Sequence, residues 1–139
     1  MALISKDIQD LPQVAKALID AGNESKRIAF RGNLGAGKTT LVGNILKEFG
    51  IHEFNGSPTF SLVNEYQSPD GRAIYHFDFY RITDIEEALD IGWDEYLADT
   101  EAWILIEWPE RIEALLPEHF LLVEIQLENG IRTFQQKLF

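Results

Sequence analysis

Cysteine is absent from this sequence, and so are long hydrophobic runs. Without cysteine the chain can form no disulfide, no thiolate metal site and no cysteine nucleophile, and this composition fits a reducing compartment. No apolar run reaches the roughly 20 residues that a helix needs to cross a bilayer. The first residues turn polar after Ile4, so no export or anchoring signal is visible. We therefore expect a cytoplasmic protein with no membrane association.

Positive charge is in the minority. Lys and Arg total 12 against 23 Asp and Glu, which gives a net charge of −11. A general attraction to nucleic-acid phosphates is therefore disfavoured, and we expect any RNA contact to be made through a partner or a local patch. The 139 residues, 45% of them hydrophobic, suffice for one core but not two. With no repeat or linker to divide it, we expect residues 1–139 to form a single domain.

Hydrophobic patterning predicts helices that alternate with strands, and hence an α/β fold with a mixed, partly antiparallel sheet. Strands are predicted at residues 27–31, 60–66, 72–80, 102–106, 121–127 and 131–138. Helices are predicted between residues 5 and 22, and at 38–49, 83–92 and 109–116. Two pairs of strands are joined by turn sequences, Pro-Asp-Gly in residues 67–71 and Asn-Gly in residues 128–130, and each pair should form an antiparallel hairpin.

Helix boundaries are predicted from capping residues. Ser5 is a candidate N-cap for the first helix, and Gly22 is a candidate stop. Thr83 with Glu86 three residues later matches a capping box, which predicts a short helix that ends near Gly92. The run at residues 102–106 is almost wholly apolar, as expected of a central strand covered on both faces.

The segment Gly32–Thr39 reads Gly-x-x-x-x-Gly-Lys-Thr between a predicted strand and a predicted helix. Glycines let such a loop bend so that its N–H groups converge on phosphate oxygens, and the helix directs its positive end at the anion. Lys38 would bind the β- and γ-phosphates, and the hydroxyl of Thr39 would bind Mg²⁺. A glycine-rich turn that only capped a helix would not require Lys-Thr at this offset. We therefore predict a site for a Mg²⁺-bound nucleotide.

Two acids are candidates for holding the metal or orienting water. Glu107 ends the most hydrophobic predicted strand, and Asp78 lies between large apolar neighbours. Acids at strand ends beside a phosphate loop can reach a bound metal. The alternatives are that Glu107 is merely a solvated carboxylate, and that Asp78 faces solvent or pairs with Arg81 or Arg72.

Other residues allow two interpretations. Thr59 lies where P-loop proteins often carry a nucleotide-sensing switch, but an ordinary proline-containing loop is equally consistent with its sequence. His76 could meet the nucleotide, although a lone histidine in an apolar strand is more often a core residue. Trp93, Trp103 and Trp108 could stack on a base or a partner, but aromatic residues beside a buried strand usually belong to the core.

Four segments together resemble one family, the bacterial TsaE (YjeE) ATPase of tRNA threonylcarbamoyladenosine biosynthesis. They are residues 32–41 (GNLGAGKTTL), 57–60 (SPTF), 76–81 (HFDFYR) and 106–111 (IEWPER). The phosphate loop alone is generic, whereas the four segments in this order are specific and cover nearly the whole chain. The resemblance implies a P-loop NTPase-like, three-layer α/β/α fold.

The resemblance also implies a function and a set of site residues. The chain would hydrolyse Mg-ATP, slowly when alone, to drive or reset a TsaB–TsaD threonylcarbamoyl-transfer complex, and would meet tRNA only indirectly. Lys38 would act on phosphate, Thr39 and Glu107 on Mg²⁺, Asp78 on the metal or water, and Thr59 as a switch. Nucleotide contacts would come from Asn33, Leu34, Gly35, Ala36, Gly37, Lys38, Thr39 and Thr40, with Glu110, Arg111 and Arg132 as further candidates near the nucleotide or partner. Asn33 stands where the family commonly has Asp, and it keeps a polar side chain without the charge.

Two other functions remain open at the level of sequence. A small-molecule or nucleoside kinase would also use a phosphate loop, but it usually needs an arginine-rich lid, and Arg72, Arg81 and Arg111 are dispersed. A non-hydrolysing module, in which ATP only stabilises a binding surface, would explain the lack of a catalytic glutamine or an obvious arginine finger.

Overall fold

A computed structural model describes residues 2–5, 8–59 and 61–139 of the chain. The strands are β1 Ala2–Ser5, β2 Arg27–Arg31, β3 Val63–Gln67, β4 Ala73–Asp78, β5 Trp103–Glu107, β6 Leu121–Glu128 and β7 Ile131–Leu138. The helices are α1 Leu11–Gly22, α2 Lys38–Glu48, α3 Glu86–Asp90 and α4 Trp93–Ala98, with 3₁₀ turns at Ile8–Asp10 and Pro109–Leu115. Within the described ranges, no helix combines the length and apolarity that crossing a lipid bilayer requires.

All seven strands belong to one mixed sheet with the order β1-β7-β6-β2-β5-β4-β3. The four central strands, β6, β2, β5 and β4, are parallel, and antiparallel pairs complete both sides. The register aligns Glu107 of β5 with Phe30 of β2 and with Asp78 of β4. Because carboxyl ends of parallel strands share one edge, the loop after β2 and both acids lie at the same edge of the sheet.

Helices cover both faces of this sheet, as the three-layer prediction requires. On one face, α1 and α2 pack against side chains that include Phe30 and Leu105. On the other face, Ile104 and Ile106 pack with Trp93 of α4 and with the 3₁₀ turn at Pro109–Leu115. Every residue of β5 is buried, which confirms the predicted central strand. Both faces of this strand are therefore hydrophobic, in contrast to the alternation of a half-exposed strand.

The prediction that Ser5 caps the first helix is wrong. Ser5 ends β1, where it pairs with Arg132 of β7, and α1 begins only at Leu11. Pro12 lies in the first turn of α1, a position where the missing N–H of proline costs no helical hydrogen bond. Residues 6 and 7, which the prediction also included, lie outside the described residues. The predicted end at Gly22 is confirmed.

The predicted capping box uses a different glutamate. The N–H and hydroxyl of Thr83 donate to Oε2 of Glu87 at 2.9 and 3.0 Å, so Glu87 and not Glu86 reaches back over the first turn of α3. A helix end near Gly92 is confirmed by its φ of +93°. A second short helix, α4, starts directly after this glycine and was not predicted.

Both predicted hairpins are present with small shifts in their bounds. β3 starts at Val63 rather than at residue 60, and β4 is shorter than the predicted run 72–80. Phe60 itself lies outside the described residues. The turn between β6 and β7 places Asn129 and Gly130 at φ values of +53° and +78°, as expected for an Asn-Gly hairpin.

Candidate nucleotide-binding site

The phosphate loop, residues 32–37, connects β2 to α2 and has glycine where the backbone requires it. A Cβ at Gly32 would lie 2.7 Å from the carbonyl oxygen of Ile125 in β6, so the loop passes too close to the sheet for a side chain. Gly37 has a φ of +105°, and its Cβ would lie 2.9 Å from Nε of Arg132. The loop therefore leads directly into the N-terminus of α2, where unpaired N–H groups can receive an anion.

Lys38, the first residue of α2, is only 5% exposed. Its ammonium donates to the carbonyl oxygens of Gly32 and, at 3.4 Å, Asn33, and lies 3.8 Å from the centroid of the Trp108 ring. Burial lowers the pKa of Lys38 below its usual value, and the negative charges of Glu107, Glu110 and Asp78 oppose this effect. The ammonium therefore lies at the loop, held by neutral partners that a phosphate can replace.

Thr39, the next residue, connects the loop to the acid at the end of β5. Its Oγ1 lies 2.8 and 3.1 Å from the two carboxylate oxygens of Glu107 and 3.0 Å from Oγ of Ser57. Glu107 is 2% exposed, so the alternative of a solvated carboxylate is wrong. The structure thus brings together the hydroxyl and the carboxylate that the sequence assigned to Mg²⁺.

His76 is buried, as the core interpretation predicts, but it also contacts the candidate site. Its Nε2 lies 2.6 Å from Oε2 of Glu107. Its Nδ1 has no hydrogen-bond partner in the described part of the chain. The sequence did not single out this contact, because β4 and β5 become neighbours only in the folded sheet.

Asp78 is half-buried at the end of β4 and lines a cavity of about 310 Å³ with Lys38, Thr39 and Glu107. Its Oδ1 accepts a hydrogen bond of 3.0 Å from the N–H of Tyr80. The alternative that it pairs with Arg81 or Arg72 is wrong, since Asp78 forms no ion pair with a described residue and Arg72 pairs instead with Asp70 at 2.9 Å. Asp78 therefore faces the phosphate loop.

The donor set of this cavity fits a magnesium ion. Mg²⁺ prefers oxygen ligands and is usually held by one or two carboxylates, phosphates and water rather than by a cage of protein ligands. The hydroxyl of Thr39 and the carboxylates of Glu107 and Asp78 supply this chemistry. Among the described residues no group of three or more His, Cys, Asp and Glu could hold a metal ion.

The remaining predicted nucleotide contacts lie around the loop. Thr40, Gly35, Gly37 and Arg132 line the 310 Å³ cavity, and Nε of Arg132 donates to the carbonyl of Ala36 at 3.1 Å. A larger neighbouring cavity of about 680 Å³ is lined on the loop side by Asn33, Leu34, Gly35, Ala36 and Glu110. The structure therefore brings all of these residues to the two cavities beside the loop.

Two predicted site residues, Thr59 and Arg111, lie farther from the phosphate loop. Thr59 is exposed and lines a separate cavity of about 180 Å³, which it shares with Asp78. Arg111 is exposed, with its guanidinium 5.7 Å from the ring centroids of Tyr80 and Trp108. Neither contacts the phosphate loop directly in this structure, and both border residues that do line its cavity.

Comparison with known proteins identifies the relatives of this chain. The model of the family TsaE, described as threonylcarbamoyl adenosine biosynthesis protein TsaE, matches residues 5–136. The chain belongs to the TsaE family. This family acts in the biosynthesis of threonylcarbamoyladenosine in tRNA.

Curated relatives and a solved structure agree with this assignment. The chain is 42% identical over 108 residues to the TsaE protein of Haemophilus influenzae, covering 78% of this chain and 67% of that one. It is 34% identical over 134 residues to the TsaE of Treponema pallidum, covering 95% and 96%. The crystal structure of Bacillus subtilis YdiB superimposes with a TM-score of 0.74 at 25% identity, covering 99% of this chain and 84% of YdiB.

Three residues of this TsaE-family site were missed or judged differently from sequence. Ser57 contacts Thr39, and Tyr80 lines the cavity of the phosphate loop. Trp108 is half-buried and covers Lys38, whereas Trp93 and Trp103 are core residues as expected. The signal for Ser57 and Trp108 was present, since each lies within two residues of a predicted site residue.

Proposed function

We propose that this TsaE-family chain binds Mg-ATP at the phosphate loop and hydrolyses it. The observation that carries the proposal is the contact of 2.8 Å between the hydroxyl of Thr39 and the carboxylate of Glu107, beside the buried ammonium of Lys38. These three groups lie at the N-terminus of an 11-residue helix, which favours negative charge. Ammonium, hydroxyl and carboxylate are the groups that a magnesium triphosphate requires.

Each residue has a separate part in this reaction. The N–H groups of residues 32–37 and the ammonium of Lys38 bind and orient the phosphates, and Arg132 supports the loop through the carbonyl of Ala36. Thr39 and Glu107 hold the magnesium ion, which supplies charge that neutralises the phosphates when bound. Asp78, which faces the same cavity, supports the metal or orients the attacking water.

We further propose that hydrolysis drives or resets the TsaB–TsaD threonylcarbamoyl-transfer complex in the cytoplasm. Membership in the TsaE family supports this pathway. The net charge of −11 disfavours general binding to tRNA, so tRNA would be met indirectly, through the partners. Thr59, which lines a cavity together with Asp78, would act as the switch that communicates the state of the nucleotide.

Calorimetry and phosphate release test this proposal. We expect magnesium-dependent binding of ATP to the wild-type chain, slow release of phosphate alone and faster release with the TsaB–TsaD pair. Lys38→Ala should lose binding and release, whereas Lys47→Ala, an exposed lysine at the other end of α2, should behave as wild type. Absence of magnesium-dependent nucleotide binding in the folded wild-type protein would contradict the proposal.

The same assays distinguish the two alternative functions. Transfer of labelled γ-phosphate to a metabolite rather than to water would identify a kinase. Bound ATP that outlasts a full cycle of tRNA modification in the assembled complex would identify a non-hydrolysing binding module.

A further inference from the structure

His76 is a fully buried residue of β4, with a relative exposure of 0%. Its Nε2 lies 2.6 Å from Oε2 of Glu107, and its Nδ1 has no hydrogen-bond partner among the residues that the structure describes. A hydrophobic ring would fill the same space without leaving a buried nitrogen unpaired, which costs free energy. Packing alone therefore does not explain a histidine here.

The register of the sheet explains why this ring reaches Glu107. His76 pairs with Leu105 and Asp78 pairs with Glu107, and side chains two residues apart on a strand point to the same face. His76, Asp78 and Glu107 therefore share the face that α2 covers. His76 aligns with Leu105, two residues before Glu107, so the imidazole approaches the carboxylate from the interior of the sheet rather than from its carboxyl edge.

The carboxylate of Glu107 is consequently held from two sides. His76 contacts Oε2, and Oγ1 of Thr39 lies nearer to Oε1, at 2.8 Å, than to Oε2, at 3.1 Å. A carboxylate that is to bind a metal only accepts hydrogen bonds, so we assign the hydrogen of this 2.6 Å contact to Nε2 of His76. Such a contact fixes both the tautomer of the ring and the rotation of the carboxylate.

We infer that His76 is a positioning residue, which donates from Nε2 to Oε2 of Glu107 and thereby directs Oε1 toward Thr39 and the metal position. This inference rests on the proposed function, because it assigns Glu107 to Mg²⁺. Carboxylates that ligate metals are commonly oriented by a second hydrogen-bond partner, and loss of such a partner weakens metal binding by about 10- to 100-fold. The histidine acts through Glu107 and does not touch the nucleotide.

The tautomer can be read in the ligand-free protein by ¹⁵N NMR of the histidine rings. We expect the hydrogen of His76 on Nε2 facing Glu107, and the exposed His52 serves as the internal control. A bare Nε2 with the hydrogen on Nδ1 would overturn the inference. This measurement needs neither nucleotide nor metal, so its outcome is independent of the proposed function.

Two variants test the effect on metal binding. We expect His76→Phe to weaken Mn²⁺ binding in the presence of a non-hydrolysable ATP analogue by about 10- to 100-fold, measured by electron paramagnetic resonance. Its affinity for the metal-free analogue should be unchanged. His76→Gln can place an amide N–H near the position of Nε2 and should restore most of the Mn²⁺ affinity, and His52→Phe should match wild type.

A merely structural histidine would give a different pattern. His76→Phe would then lower the thermal midpoint and leave the ratio of metal-bound to metal-free affinity unchanged, which overturns the inference. Equal losses of Mn²⁺ affinity in His76→Gln and His76→Phe would also overturn it. If His76→Phe does not fold, the Mn²⁺ affinity of His76→Gln and the tautomer of His76 in the wild-type protein test the inference. Failure of the wild-type protein to bind the manganese nucleotide at all would count instead against the proposed function.

Discussion

Two buried cations lie at opposite ends of β2, and they are held in different ways. Arg27 begins the strand and Lys38 follows the loop at its other end, and each is 5% exposed. Burial lowers the pKa of both. Arg27 donates to four main-chain carbonyls, those of Leu97 at 3.2 Å, Asp99 at 2.9 Å, Ala102 at 2.6 Å and the neighbouring Lys26 at 3.4 Å. Its guanidinium therefore connects β2 by hydrogen bonds to the end of α4 and to the segment between α4 and β5.

Lys38 has partners that a ligand can replace. It contacts two carbonyls of the loop it belongs to and the face of Trp108, and it lines an open cavity. Arg27, by contrast, is absent from the lining of the cavities beside the loop. Burial and a lowered pKa thus do not by themselves distinguish a functional cation from a structural one. The distinction lies in whether the partners are fixed by the fold or can be exchanged for a ligand.

The largest effect should follow from Lys38→Ala. We expect the free energy of nucleotide binding to fall by about 3 kcal/mol, roughly 100-fold in affinity, because phosphate oxygens lose a buried charged donor. The free energy of unfolding should change by less than about 1 kcal/mol, because the carbonyls of the loop remain near water. Calorimetry and urea denaturation measure the two quantities. A large loss of stability with retained nucleotide binding would give Lys38 the structural role that we assign to Arg27.

Arg27→Met should show the opposite pattern. Four carbonyl groups lose their shared donor, three of them distant in sequence, so we expect the free energy of unfolding to fall by about 3 kcal/mol. Nucleotide affinity of the folded fraction should remain that of wild type. Lys16→Met, which removes an exposed lysine of α1, is the matched control and should leave both quantities unchanged. A variant of Arg27 with wild-type stability would contradict the structural role.

Arg132→Met should give an intermediate result. This half-buried arginine supports the loop through the carbonyl of Ala36 and also lines the cavity of Lys38. We expect losses of about 1 kcal/mol both in the free energy of unfolding and in that of nucleotide binding. Lys137→Met, farther along β7, serves as the control. A change in the free energy of unfolding alone would make Arg132 a structural cation like Arg27. A change in the free energy of nucleotide binding alone would make it a ligand-binding cation like Lys38.

Asp70→Asn should have the smallest effect, because its arginine partner is exposed. Hydrogen bonds from Ser68 and Arg72, and the charge of Arg72, lower the pKa of Asp70 from 3.8 to about 2. The folded-state pKa lies below the unfolded one, so this carboxylate stabilises the fold above the unfolded pKa and loses that contribution as pH falls toward 2. We expect a slightly lower thermal midpoint than wild type at neutral pH and a difference that disappears through this window. Asp20→Asn, which replaces another exposed aspartate, is the control variant, and a difference between Asp70→Asn and wild type that grew with acid would refute the assignment.

The phosphate loop and the position of Glu107 could be predicted from sequence because their signals are local. Glycine, lysine and threonine spacing identifies the loop, and an uninterrupted apolar run identifies β5 and hence the strand end at Glu107. The contacts of Glu107 with Thr39 and His76 could not be predicted in the same way. They depend on which strands lie beside β5, and that order is a property of the whole sheet.

The errors at the helix ends have the same origin. Ser5 is a good N-cap by residue type, but four residues of β1 instead pair with β7 at the opposite end of the sequence. Thr83 did mark the start of a helix, yet the choice between Glu86 and Glu87 depends on the local path of the backbone, which residue spacing does not specify. Short elements such as α4 also lack enough periodicity to be recognised.

Because the ring of Trp108 packs against the ammonium of Lys38, the three tryptophans of the chain have different surroundings and should differ in fluorescence. Trp93 and Trp103 are buried to 1% exposure or less among hydrophobic side chains, whereas the ring centroid of the half-buried Trp108 lies 3.8 Å from the ammonium of Lys38. An anion bound at the loop would compete with the face of the indole for this ammonium. We therefore expect the intrinsic emission of the unlabelled chain to change when an anion binds at the phosphate loop.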